Sequence, residues 1–199
     1  MSNFCKENNV ESFIPLHEPV FRGNEKLYLE ECIDSTLVSS AGNFVDLFER
    51  KIVEYTGAKH AVACVNGTSA LQVSLRLAGV RPGDEVIVPT LTFIAPVNAI
   101  TYNGAKPVFM DSDRFYNLDV EKTIEFINNE TVFEKGYTFN KYTNKRITAI
   151  VPVHVWGNIC WLDELVELCN ERNIVIVEDA SESMGSVYKS GKYKDRHTG

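Results

Sequence analysis

The sequence predicts an α/β protein with a mostly parallel sheet flanked by helices. Two observations carry this. From Lys59 onward, strand-like apolar runs (61–65, 85–89, 107–110, 147–155 and 174–177) alternate with helical patterns at about 69–79, 93–102, 119–128 and 161–171. Runs such as Ile174-Val175-Ile176-Val177 are apolar at every position, as a strand covered on both faces requires. A hydrophobic content of 44% against 24% charged residues supplies the core for such a fold.

Taken in order, residues 1–22 read as an irregular arm, polar at first and then marked by Pro15 and Pro19. Asn24 is a candidate cap for a helix running through about Ser35. The stretch Ser39-Ser40-Ala41-Gly42 has loop chemistry. Phe44, Leu47, Phe48, Ile52 and Val53 then fall on one helical face, which Gly57 ends. These pieces make an N-terminal region over 1–58, and the alternating α/β domain occupies 59–199. The polar, aromatic segment 129–146 breaks the rhythm and reads as an inserted loop or hairpin on the rim.

Composition excludes several classes. Twenty Lys and Arg against 27 Asp and Glu leave a net charge of −7, the wrong sign for displacing counterions from nucleic acid. The longest apolar runs are about five residues, too short for a bilayer. The start, MSNFCKENNV, lacks the basic and apolar regions of a signal peptide. Five cysteines without a CxxC read as reduced thiols in a cytoplasmic protein, with no disulfide and no metal site.

In open α/β sheets, ligands gather beyond the carboxyl ends of the strands. GxGxxG, GxxxxGK[ST] and HExxH are all absent. A Tyr-x-x-x-Lys spacing occurs three times, at Tyr55/Lys59, Tyr137/Lys141 and Tyr188/Lys192, so it selects nothing. Three strand ends are more informative. The run over 61–65 leads into Asn66-Gly67-Thr68-Ser69, where small residues and free N–H groups suit a phosphate, or where Asn66 or Thr68 caps the helix. The strand over 85–88 leads to Phe93, either a core residue or a flat face for an aromatic ligand. The strand over 174–177 ends in Glu178-Asp179, with Asp179 on the face of Val175 and Val177 and Glu178 on the other. One of these acids caps the next turn, or one binds a cationic ring nitrogen. A phosphate cup, a ring stacker and an anion together match the needs of pyridoxal 5′-phosphate, whose protonated ring absorbs electrons from a substrate carbanion.

The segments VNGTSAL (65–71), GDEVIVPTLTFIAPVNAI (83–100), GAKPVFMD (104–111), PVHVWG (152–157) and VIVEDASESMGS (175–186) resemble the DegT/StrS sugar aminotransferases, in family order. The resemblance implies a pyridoxal-phosphate enzyme of the aspartate-aminotransferase fold, fold type I. It implies that Gly67, Thr68 and Ser69 form the phosphate cup, the last two through their backbone N–H groups. Phe93 stacks on the pyridine ring, and Asp179 pairs with its nitrogen as the catalytic carboxylate. Glu182 stands where family members carry a cofactor-contacting Gln or His. His154 lies near the site without an implied role.

Residues 14–49 are similar to the branch that aminates C4 of a UDP-linked 4-keto-6-deoxy-N-acetylhexosamine, with L-glutamate as donor, in bacillosamine and legionaminic acid synthesis. That branch works as a cytoplasmic homodimer. The lysine that carries the cofactor in the family lies beyond EDASES. Lys189, Lys192 and Lys194 precede that position, so the chain reads as the N-terminal half of the enzyme, without the small domain and inactive alone. Two alternatives stand beside this reading. One is a non-catalytic remnant that keeps part of the ligand site; the other is the family's sugar dehydratase, in which histidine replaces the lysine.

Overall fold

The computed structural model describes residues 18–37, 39 and 42–199. Most of the arm expected over 1–22 lies outside them, as does Cys5. The chain divides into two units, the first ending at Asp46 and the second covering Leu47–Gly199.

The first unit contains α1 (Glu25–Asp34). Asn24 stands at its N-cap position, but its side chain makes no cap bond; its Nδ2 donates to the Tyr28 hydroxyl at 3.4 Å instead. An Asn cap requires an extended backbone, and Asn24 lies at φ −93°, ψ 13°. The boundary between the units falls within α2 (Asn43–Thr56). Gly57, at φ +76°, ends that helix as the sequence predicts.

The second unit is built on a six-stranded sheet. Strands β1 (Glu85–Pro89) and β2 (Lys106–Met110) pair in parallel, and β1 also pairs in parallel with β5 (Arg146–Ile150). The other edge of β5 is shared. Its beginning takes the antiparallel β4 (Tyr137–Asn140), and its end takes the parallel β6 (Val175–Ile176). The polar segment on the rim is the hairpin of β3 (Thr131–Glu134) and β4, turned by Lys135 at φ 53° and Gly136 at φ 82°. Positive φ at both central positions matches the right-handed twist of the strands.

Helices α3 (Gly67–Leu77), α4 (Ile94–Tyr102), α5 (Val120–Glu130) and α6 (Asp163–Glu171) fall within a few residues of their expected positions. They cover the sheet from both sides. Val86, Val88, Ala149 and Val151 pack with Leu71 and Leu75 of α3 and Ala99 and Ile100 of α4. Ile87, Ile147 and Ile150 pack with Ile127 of α5 and Leu165 and Cys169 of α6. Period-2 alternation would put Ile147 and Ala149 on one face. They separate because Glu85 pairs with Ile147 while Val86 pairs with Ala149, leaving Thr148 as a bulge. The Thr148 hydroxyl donates to Asp84 Oδ2 at 2.7 Å, which satisfies a buried polar group in the ladder.

Two expected strands change. The run over 61–65 is not a strand: Val62 and Val65 are 81% and 88% exposed. A strand needs a neighbour for its backbone groups, and among the described residues none pairs with it. The expected strand over 147–155 stops at Ile150. Pro152 brings no N–H to the ladder, yet its carbonyl accepts from Asp179 N–H at 2.9 Å. His154 N–H donates to the Asp179 carbonyl at 3.1 Å, so the two strand ends stay side by side. Among the described residues no helix is long and apolar enough to cross a membrane, and no cluster of His, Cys, Asp and Glu is arranged for a metal.

Candidate functional site

The carboxyl ends of β1, β5 and β6 open onto one cleft of about 530 Å³. Its wall is formed by the start of α3, the loop from β1 into α4, the turn after β5 and the loop after β6. It includes Gly67, Thr68, Phe93, Asp179 and Glu182, so five of the six residues singled out in the sequence converge.

At the start of α3, Asn66 is an extended N-cap whose side chain accepts the Ser69 N–H at 2.9 Å. The cap reading therefore holds. Ser69 is not on the cleft wall and its N–H is already used. The N–H groups of Gly67 and Thr68 have no protein acceptor among the described residues and remain for an anion at the helix end. A Cβ at Gly67 would stand 3.6 Å from Ser181 Oγ, so this end of α3 lies against the loop after β6.

Phe93 is the N-cap residue of α4 and is 79% exposed, which removes the core reading. The neighbouring Thr92 Oγ1 also lies at the cleft, buried and without a hydrogen-bond partner. An orphaned buried hydroxyl is costly unless a ligand answers it.

Asp179 is 7% exposed. Its Oδ1 accepts both the N–H (3.1 Å) and the hydroxyl (2.6 Å) of Ser181. Its Oδ2 has no partner among the described residues. Glu178 faces away, into a second cavity of about 520 Å³, as the period-2 reading requires. Its Oε2 meets His154 Nε2 at 2.7 Å, and His154 itself belongs to the wall of the first cleft. His154 is fully buried and its Nδ1 accepts the Cys160 N–H at 3.0 Å, so the ring proton resides on Nε2 and is donated to Glu178. Burial, with the charges of Asp113 and Glu178, pushes the Cys160 thiol up to about 12. Glu182 is exposed, and its Oε2 accepts the Trp156 N–H at 2.7 Å.

Among the described residues lining the cleft there is no lysine. Lys192 points elsewhere, its Nζ 3.2 Å from Glu167. Sequence reasoning overlooked Thr92, Ser181 and Trp156. The Asp-x-Ser spacing of 179–181 is a local turn signal that would have found the second. Neither Thr92 nor Trp156 has a sequence signal, because each matters through where the chain places it.

The residues present fit pyridoxal 5′-phosphate: free N–H groups at a helix start for its phosphate, an exposed aromatic face for its ring, and the unpaired oxygen of a largely buried carboxylate for its nitrogen. Comparisons with known proteins agree. The DegT/DnrJ/EryC1/StrS aminotransferase family model matches residues 20–199. GDP-perosamine synthase of Escherichia coli O157:H7 is 44% identical over 181 residues, 91% of this chain and 45% of that enzyme. A Bacillus subtilis protein described as a pyridoxal phosphate-dependent aminotransferase is 34% identical over 177 residues, 88% of this chain and 43% of that protein. The aminotransferase from Psychrobacter cryohalolentis superposes with a TM-score of 0.75 at 30% identity, covering 93% of this chain and 42% of that one. The chain thus spans about half the length of the relatives it matches. Its fold is that of the type I pyridoxal-phosphate enzymes. With sheet, cleft and sequence in agreement, the chain belongs to the DegT/DnrJ/EryC1/StrS aminotransferase family.

Proposed function

We propose that the whole protein transfers an amino group from L-glutamate to a keto sugar carried on a nucleoside diphosphate, and that this chain supplies the cofactor cleft. The observation that carries the reading is the convergence of Gly67, Thr68, Phe93 and Asp179 on one cavity. When bound, pyridoxal 5′-phosphate supplies an electron sink for the pair freed at the carbon that gains or loses the amine. The protein's own residues set that chemistry up. Asp179 Oδ2 holds a proton on the ring nitrogen, and Ser181 fixes the carboxylate through Oδ1. Phe93 offers its exposed face to the ring. The Gly67 and Thr68 N–H groups hold the phosphate with the aid of the helix dipole.

For the sugar nucleotide, the similarity to a GDP-perosamine synthase favours a GDP-linked sugar. The residues 14–49 that resemble the UDP-N-acetylhexosamine branch keep a UDP-linked 4-keto-6-deoxy sugar as the second reading. The whole protein acts as a homodimer on cytoplasmic pools of nucleotide sugar and glutamate. The test is amination by the whole protein, with 2-oxoglutarate formation followed for GDP-linked and UDP-linked 4-keto-6-deoxy sugars in parallel. Turnover with one of them supports the reading and selects the nucleotide. Loss of a sugar hydroxyl with no amino group gained by the sugar moves the protein to the dehydratases, and no turnover with cofactor bound supports the non-catalytic alternative.

A further inference from the structure

Trp156 is at odds with its surroundings in two ways. It is 68% exposed, and it holds φ 54°, ψ 27°, a left-handed conformation that costs a bulky residue energy. Several contacts hold it there. Glu182 Oε2 accepts its N–H at 2.7 Å, and Asn117 Oδ1 accepts the N–H of the preceding Val155 at 3.1 Å. Asn117 belongs to a loop tied by Asp113, whose Oδ1 accepts the N–H groups of Phe115 (2.8 Å) and Asn117 (3.0 Å). In that loop Tyr116, also left-handed at φ 71°, meets the Trp156 indole edge to face, with centroids 5.1 Å apart and planes at 66°. The indole contributes nothing to the core, yet it lines the cleft that holds Phe93 and Asp179.

We propose that Trp156, held by Glu182 and buttressed by Tyr116, is the wall on which the hexose ring of the substrate stacks, so that Glu182 is a positioning residue acting through Trp156. This rests on the amino-transfer reading above. The reacting sugar carbon must lie beside the cofactor ring, so the group next to the cofactor in the cleft is the hexose, and the nucleotide trails outward. A pyranose presents a face of C–H bonds, which packs on the flat face of an aromatic ring. The Glu182 carboxylate is committed to a backbone N–H, which accounts for an acid at this position without a contact to the cofactor's ring oxygen.

The test uses the chain carrying Trp161→Phe, which leaves Trp156 as its one tryptophan, with pyridoxal 5′-phosphate at saturation. GDP-mannose and UDP-N-acetylglucosamine are compared with GDP and UDP by Trp156 fluorescence and by calorimetry. A sugar nucleotide is expected to change the emission saturably, and the nucleoside diphosphate alone is not. Trp156→Gly suits the left-handed backbone, so its thermal midpoint should equal or exceed that of the parent. Its affinity for the sugar nucleotide should fall about five- to tenfold while cofactor binding is retained. Glu182→Gln keeps an acceptor for the Trp156 N–H and should preserve the response; Glu182→Ala should lose it. Unchanged sugar-nucleotide affinity in Trp156→Gly, or an equal response to GDP alone, overturns the proposal and leaves the amino-transfer reading intact. Failure of the parent chain to bind the cofactor overturns the assignment of this cleft as the cofactor site, and the stacking proposal with it.

Discussion

The Ser181 hydroxyl donates to Asp179 Oδ1 at 2.6 Å and the Ser181 N–H to the same oxygen at 3.1 Å, which leaves Oδ2 as the unpaired oxygen of a buried carboxylate. A carboxylate fixed in this way at the end of a buried strand is oriented before its ligand arrives. That pre-organisation strengthens a charge-assisted bond to a ring nitrogen. Asp179→Asn keeps the shape and the bonds from Ser181 but removes the charge. Its affinity for pyridoxal 5′-phosphate should fall about 10- to 100-fold, the worth of one charged hydrogen bond. Absorbance titration measures this, and circular dichroism should show the fold retained.

Phe93 separates binding from stability. At 79% exposed it contributes little to folding, so Phe93→Ala should change unfolding free energy by less than about 0.5 kcal/mol. Loss of the stacking face should weaken cofactor binding by about tenfold. Urea unfolding and a cofactor titration on the same preparation check both halves.

His154 is the opposite case. It is fully buried and joins Glu178 to the Cys160 N–H. His154→Ala leaves the Cys160 N–H without a partner, leaves Glu178 Oε2 only the longer bond from Gly199 N–H at 3.3 Å, and opens a cavity, at a cost of about 3 kcal/mol in unfolding free energy. A drop in the denaturant midpoint without a change in its slope is the expected result.

The thiols give a pH signature. Burial pushes both Cys160 and Cys169 up to about 12, whereas Cys64 is exposed. Their stabilising effect is fully present below the unfolded thiol value near 9 and is lost as pH rises toward 12, because the unfolded chain releases these protons first. The thermal midpoint should fall progressively above about pH 9. At pH 8 a thiol reagent should label Cys64 rapidly and reach Cys160 and Cys169 only on unfolding.

Much of this architecture was legible where a local pattern and its tertiary setting agree. The strand over 85–89, helices α3 to α6 and the hairpin in 129–146 all follow from periodicity and turn chemistry. Gly67, Thr68, Phe93 and Asp179 were legible because a parallel sheet delivers its strand ends to one place, whereas Glu182 came only from the resemblance to the family. The run over 61–65 shows the limit: its residues have β-propensity, but a strand is a property of a pair. Asn66 shows another. Capping and phosphate binding compete for the same N–H groups, and only the geometry assigns Ser69 to the cap. Trp156 was hidden because its conformation depends on Glu182, 26 residues away.

The central claim is that this chain holds pyridoxal 5′-phosphate in the cleft through Asp179, with no lysine among the described residues of the cleft wall to bind it covalently. The most direct measurement is a cofactor titration of the 199-residue chain and its Asp179→Asn variant, followed by borohydride reduction and mass mapping. Reversible binding that weakens in the variant is predicted, with no reduced adduct on any lysine. Equal binding by both proteins, or a stoichiometric adduct on Lys189, Lys192 or Lys194, would contradict it.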